Sequence, residues 1–233
     1  MKQWRKIQLW LRFGILLPAF YISAIVQRKR PFERRFAALQ KWCRIVVKLS
    51  GAKVEVVVGD GIVGTQGALI VGNHQGSMDP FLLVATSVVP TTAVSKVENL
   101  KIPLIGTWLK TLEAITFQRE SIKDSVRMMK ETSLILQKPR NIVIFPEGTR
   151  SKSNEMGEFK AGALKAAYMA KADIMIVVLV NSFTILDALD EKRKPIYVVY
   201  DQVIPYTEYQ HLSTVELAEK VQSRMKEVIK QYA

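Results

Sequence analysis

The apolar positions along the chain fall into two regimes. Residues 13–27 (FGILLPAFYISAIVQ) form an uncharged, mostly apolar run interrupted by Pro18, and residues 36–49 (FAALQKWCRIVVKL) mix apolar and basic positions around Trp42. Both read as helices. After Gly51 the pattern changes to short apolar runs of strand character separated by longer helical stretches. Residues 52–58, 68–71, 92–96, 114–118, 142–145, 174–180 and 196–203 read as strands, the first two joined by a glycine-rich hairpin loop. A helix is expected over 79–89, with Asp79 as its N-cap and Pro80 at the first helical position. Others are expected from Ser121 and Asp124 to about 137, over 162–171, and after the Ser213/Glu216 capping box. Strands alternating with helices predict an α/β fold: a single mixed-sheet domain over 51–233 flanked by helices, preceded by an N-terminal membrane-binding helical pair over 1–50.

Charge explains why the first segment is read as membrane-binding. The net charge of +13 sits almost wholly in residues 1–48, which hold 12 Lys/Arg against Glu33 alone. Such an asymmetry points to nucleic acid or an anionic membrane surface. Here the basic cluster Arg28, Lys29, Arg30, Arg34 and Arg35 follows an apolar run that Trp4 and Trp10 precede, which favours the phospholipid surface and argues against nucleic acid. The run of 15 residues falls short of the roughly 20 that a spanning helix needs. An interfacial or re-entrant helix is therefore expected, with the protein on the cytoplasmic face of a membrane. A secretory signal peptide also has a basic start and an apolar stretch, but the run lacks an A-x-A-like cleavage site and a basic cluster follows at once. A helix pair simply packed on the core is the other reading. The single cysteine, Cys43, cannot form an internal disulfide and has no partner for a zinc site, so a reducing compartment is expected and no metal or resident cofactor.

Two polar blocks carry the candidate chemistry. The first, residues 73–79 (NHQGSMD), sits where an apolar strand ends and a helix begins, the usual address of sites on open α/β sheets. A tight loop can fold the Asp79 carboxylate onto the His74 imidazole, fixing its tautomer and making it a general base. Taken alone, the block is equally compatible with a hydrogen-bonded loop histidine and a helix-capping aspartate. The second block, residues 145–151 (FPEGTRS), follows another strand, and its Pro146 and Gly148 force a turn that presents Glu147, Thr149 and Arg150. An arginine fork is suited to holding two phosphate oxygens.

Together, Asn-His-x-x-x-x-Asp and Phe-Pro-Glu-Gly-Thr-Arg-Ser about 70 residues later resemble the glycerolipid acyltransferases of the 1-acylglycerol-3-phosphate acyltransferase type. The stretches 96–106 (KVENLKIPLIG), 117–119 (FQR) and 159–163 (FKAGA) are similar to the family's as well. Gln118 before Arg119 and the proline-free run 174–180 depart from its pattern and leave acceptor and acyl-chain choice open. The resemblance implies acyl transfer from a thioester, acyl-coenzyme A or acyl-carrier protein, to lysophosphatidic acid, with His74 and Asp79 catalytic. It further implies that Glu147, Gly148, Thr149 and Arg150 hold the glycerol phosphate, with Arg119 and Lys96 as additional contacts. Glycerol 3-phosphate or another lysophospholipid are alternative acceptors.

Three other readings fit less well. Residues 59–64 (GDGIVG) match a dinucleotide fingerprint, but a second strand follows instead of the required helix. A serine hydrolase or thioesterase lacks its G-x-S-x-G elbow here, although Ser77 is near His74 in sequence. A membrane-surface scaffold without activity leaves both polar blocks unexplained.

Overall fold

The computed structural model describes residues 2–188 and 194–233, with side chains at residue 11 and from residue 14 onward. Trp4 and Trp10 thus lie outside the described side chains. Two long helices open the chain, α1 (Lys2–Gln27) and α2 (Phe32–Ser50), and α2 stops at Gly51, whose φ of 68° closes the helix through a bond to the Lys48 carbonyl. There follow β1 (Val54–Val58), β2 (Leu69–Gly72), α3 (Asp79–Thr86), β3 (Thr91–Lys96), α4 (Pro103–Thr111), β4 (Ile115–Phe117), α5 (Ile122–Leu136) and β5 (Asn141–Ile144). The chain ends with α6 (Lys165–Ala170), β6 (Ile174–Val180), β7 (Ile196–Ile204), α7 (Tyr206–Tyr209) and α8 (Thr214–Tyr232). Short 3-10 turns at Val97–Lys101, Ala161–Leu164 and Ser182–Thr184 complete it.

The strands form one seven-stranded sheet in the order β1-β7-β6-β2-β5-β3-β4, with every neighbouring pair parallel, β1 and β7 included, except the antiparallel pair β6 and β7. Alternation along β6 shows how the sheet separates two cores. Ile174, Ile176, Val178 and Val180 face α5, α6 and α8, whereas Met175, Val177 and Leu179 face the side covered by α1 to α4. All seven β6 residues are buried, as expected for a strand covered on both faces.

α1 and α2 share that second core. Phe20 and Ala24 of α1 and Phe32, Phe36, Leu39, Cys43 and Val47 of α2 pack with Leu82, Trp108 and Leu179. Polar ties fix the pair further: Arg35 donates to the Thr111 carbonyl (2.8 Å) and to Glu113 (2.7 Å), Gln40 to the Ser87 carbonyl (2.7 Å), and the Trp108 indole to the Phe20 carbonyl (3.2 Å). The apolar stripe of α2 is therefore spent on the protein interior, and Trp42 packs on Phe20 with ring centroids 5.6 Å apart. Exposed apolar side chains concentrate on α1 instead, at Leu11, Ile15, Leu17, Tyr21, Ile22, Ile25 and Val26. Among the described residues no helix is long and apolar enough to cross a membrane.

Four local expectations need correction. Pro18 does not interrupt α1, which runs through it; contacts along α1 with α2 and α4 outweigh one missing backbone hydrogen bond. The segment between β1 and β2 is no hairpin loop, because β7 and β6 lie between those strands. α4 was not expected, since Pro103 and Gly106 mask its period; Pro103 in fact starts the helix, and a Cβ at Gly106 would lie 2.3 Å from the Leu100 carbonyl oxygen. Asp79 is not the N-cap of α3: Met78 occupies that position, and the Asp79 carboxylate points elsewhere.

Gly59, just past the end of β1, lies close against the backbone of β7. Its amide donates to the Tyr200 carbonyl (2.7 Å), and a Cβ there would stand 2.1 Å from the Asp201 carbonyl oxygen. Gly59→Ala must push β1 off β7 and is expected to lower unfolding free energy by about 1–3 kcal/mol, measured by urea titration; an unchanged midpoint would refute the assigned contact.

Candidate active site

β2 lies between β5 and β6 and runs parallel to both. The loops leaving the C-terminal ends of these three strands are consequently neighbours, at 73–78, 145–160 and 181–187. Asn73 binds the first to the third: its side chain donates to the Leu179 carbonyl (2.9 Å) and accepts from the Leu179 amide (2.7 Å).

Asp79 begins α3, but its fully buried carboxylate turns back into the loop. Oδ2 accepts from His74 Nδ1 (2.7 Å), the Gln75 amide (2.6 Å) and the Gly76 amide (2.8 Å), and Oδ1 accepts from the Ser182 hydroxyl (2.6 Å). A carboxylate only accepts hydrogen bonds, so His74 Nδ1 carries the proton, and in the neutral imidazole the lone pair is then on Nε2. The imidazole is held from one face by the Phe145 ring, stacked with centroids 4.4 Å apart.

The second block fixes the same histidine through its backbone. Glu147 is buried, its Oε1 accepting from the His74 amide (2.7 Å) and its Oε2 from the Gly157 amide (2.8 Å). Burial pushes the Glu147 carboxyl above its ordinary value; the His74 and Gly157 amides oppose this, and the nearby Asp79 charge adds to it. The Ser151 amide donates to the His74 carbonyl (2.8 Å), and the Lys152 amide to that of Gln75 (3.0 Å). The expected turn is present: the Gly148 amide donates to the Phe145 carbonyl (3.0 Å), with Gly148 at φ 68°.

A cavity of about 760 Å³ opens at His74, inside the size range of ligand sites. Its inner walls are apolar, built from Ile70, Leu83, Val84, Trp108, Leu112 and Met128. Its charged lining side chains, among the described residues, are all basic: Lys96 at the end of β3, Arg119 just beyond β4, and Arg150 and Lys160 on the loop after β5. Arg119 Nε is buried and finds no acceptor among the described residues, and desolvation presses this guanidinium below its ordinary value despite Glu120 and Glu98. Arg150 reaches across to the other loops, donating through Nη1 to Ser77 Oγ and to Asp187 Oδ1 (3.1 Å).

The structure thus places His74, Lys96, Arg119, Gly148, Thr149 and Arg150 in the lining of one cavity, with Asp79 hydrogen-bonded to His74. Glu147 is not among those lining residues; its two oxygens accept from the His74 and Gly157 amides and so tie the loop after β5 to the His74 backbone. Sequence reasoning missed Ser182 and Asp187, which meet partners 103 and 110 residues away. No local pattern marks either. Ser77 has its hydroxyl committed to Asp187 and Arg150 rather than to His74.

Comparison with known proteins identifies the family. Residues 53–181, more than half of the chain, match the family model described as Acyltransferase. A probable 1-acyl-sn-glycerol-3-phosphate acyltransferase of Mycoplasma pneumoniae is 26% identical, with 95% of this chain and 92% of that protein covered. The 1-acyl-sn-glycerol-3-phosphate acyltransferase of Helicobacter pylori is 32% identical over 82% of this chain and 79% of its own length. The crystal structure of a 1-acyl-sn-glycerophosphate acyltransferase from Thermotoga maritima shares the fold with a TM-score of 0.78, at 20% identity over 99% of this chain and 98% of that one. With more than half of its length, the hydrogen-bonded His74 and Asp79 included, inside the matched segment, the chain belongs to the acyltransferase family.

Proposed function

We propose that this chain acylates the free hydroxyl of 1-acyl-sn-glycerol 3-phosphate from a thioester donor, producing phosphatidic acid and a free thiol. The observation that carries the reading is the His74–Asp79 pair beside a largely apolar cavity whose charged lining, among the described residues, is basic. An apolar interior suits acyl chains, and the cations suit a phosphate.

In this mechanism Asp79 keeps the Nδ1 proton in place, and His74 Nε2 takes the proton of the acceptor hydroxyl as its oxygen attacks the thioester carbonyl. The tetrahedral adduct collapses, the carbon–sulfur bond breaks, and the departing thiolate recovers the proton from His74. No covalent acyl-enzyme is required. Base catalysis contributes on the order of 10²–10⁴-fold, and positioning of the two substrates supplies much of the remainder. Arg150, Lys96 and Arg119 hold the acceptor phosphate, with the turn at Gly148 and Thr149 beside it. Glu147 acts indirectly, by anchoring the His74 amide. A serine nucleophile is disfavoured because the Ser77 hydroxyl donates to Asp187 (2.9 Å).

Both substrates partition into membranes, and the exposed apolar side of α1 followed by the basic cluster from Arg28 is suited to an anionic surface. α2 contributes by seating α1 on the catalytic core. The donor is acyl-coenzyme A or acyl-carrier protein; both carry the thioester that this chemistry needs.

Three outcomes are expected. Detergent-purified protein transfers acyl groups from one or both donors to lysophosphatidic acid in preference to glycerol 3-phosphate and lysophosphatidylcholine, and His74→Ala lowers kcat at least about 100-fold. Preference for another acceptor would reassign the substrate, and a fully active His74→Ala would remove the base. Ser182→Ala leaves Asp79 Oδ1 without its donor and should cost about 1–3 kcal/mol in urea unfolding, together with a fall in kcat. Ile15→Asp with Ile22→Asp should weaken sedimentation with anionic vesicles about tenfold or more, given the roughly 1.5–3 kcal/mol per buried aliphatic side chain; equal binding would place the membrane contact elsewhere.

A further inference from the structure

We propose that Asp187, on the loop after β6, is the positioning residue that aims Arg150 at the acceptor phosphate. The proposal rests on the reading of Arg150 as a phosphate ligand.

Asp187 sits at the centre of a closed ring of hydrogen bonds. Its Oδ1 accepts from Arg150 Nη1 (3.1 Å) and from the Ser77 hydroxyl (2.9 Å), and its Oδ2 accepts from the Ser77 amide (2.7 Å). Arg150 Nη1 closes the ring on Ser77 Oγ. The carboxylate is itself held, since the Asp187 amide donates to the Phe183 carbonyl (3.0 Å). The pair is asymmetric in exposure, 10% for the Asp187 side chain and 44% for that of Arg150. A mostly shielded carboxylate therefore holds an exposed arm by one nitrogen. The planar guanidinium retains its other N–H groups for a ligand at the cavity wall that Arg150 lines.

Gly76 supplies a second, independent line. A Cβ at that position would lie 2.9 Å from Asp187 Oδ2 and 2.9 Å from the Phe183 Cα. The loop after β6 is thus seated directly on the backbone of the His74–Asp79 loop, which sets Asp187 in register with the base. Asp187 also lies past residue 181, where the family-matched segment ends.

An anchor and a mere counter-charge have opposite consequences. A carboxylate beside Arg150 weakens the positive potential felt by a phosphate, so removing it should tighten acceptor binding if charge is all it contributes. If it positions Arg150, removing it frees a long side chain to sample many rotamers, and binding weakens.

The test is steady-state kinetics of the full chain and of Arg150→Ala, Asp187→Asn and their double variant, with lysophosphatidic acid varied at saturating donor and the reverse. Asp187→Asn should raise KM for lysophosphatidic acid about tenfold, leave kcat and donor KM nearly unchanged, and add nothing in the Arg150→Ala background. A KM that falls or stays level in Asp187→Asn, while Arg150→Ala raises it, overturns the positioning role and leaves Arg150 as phosphate ligand. An equal rise in both backgrounds also overturns it, because Asp187 then acts by another route. An unchanged KM in Arg150→Ala removes the phosphate reading and the proposal with it. Thermal melts accompany each variant. Should Asp187→Asn not fold, Ser77→Ala removes one corner of the ring and must show a smaller rise in KM that is again absent beside Arg150→Ala.

Discussion

One buried carboxylate organises the centre of this molecule. Asp79 is fully buried and accepts four donors, one from the imidazole, two from consecutive backbone amides and one from a hydroxyl on another loop. Taking a carboxylate out of water costs several kcal/mol, and hydrogen bonds to a charged group return about 1.5–3 kcal/mol each. With four of them the site is compensated, and the compensation works only in one conformation of the loop. The orientation of His74 is thus a by-product of satisfying Asp79.

The sheet order makes that arrangement possible. Because β2 is central and parallel to both neighbours, three loops leave the sheet side by side, and each contributes a different kind of support. The loop after β2 holds the imidazole, the loop after β5 fixes its backbone through Glu147 and Ser151, and the loop after β6 supplies Ser182 and Asp187. Glu147 repeats the logic of Asp79 at one remove, a buried carboxylate closed by two amides. The cavity next to His74 is lined from both cores, with Phe20 of α1 and Leu39 and Cys43 of α2 on one side and Met128 and Met129 of α5 among the rest, so the N-terminal pair contributes to its lining.

Much of this was legible in the sequence, for physical reasons that can be named. Strand ends and helix starts are written locally: the apolar run of β6, the capping box at Ser213 and the turn at Gly148 appear as expected. His74 and Asp79 are five residues apart, so one loop brings them together. What failed to show is whatever depends on distant pairing. Nothing near residue 196 says that β7 inserts between β1 and β6, and nothing near Ser182 or Asp187 announces partners over 100 residues away. The two amide partners of Glu147 were hidden for a related reason, since a carboxylate in a polar turn looks the same in sequence whether it faces a ligand or a backbone amide. In α2 an amphipathic stripe does not say in sequence whether lipid or protein covers it, and in the structure its apolar residues pack on the interior.

The central claim is that His74 activates the acceptor for direct attack on the thioester. The most direct test is rapid-quench measurement of thiol release on mixing enzyme with the acyl donor alone. Direct transfer predicts no burst without acceptor and immediate thiol release once lysophosphatidic acid is added. A burst of thiol matching the enzyme concentration in the absence of acceptor would mean that the enzyme itself is acylated, and would contradict the account.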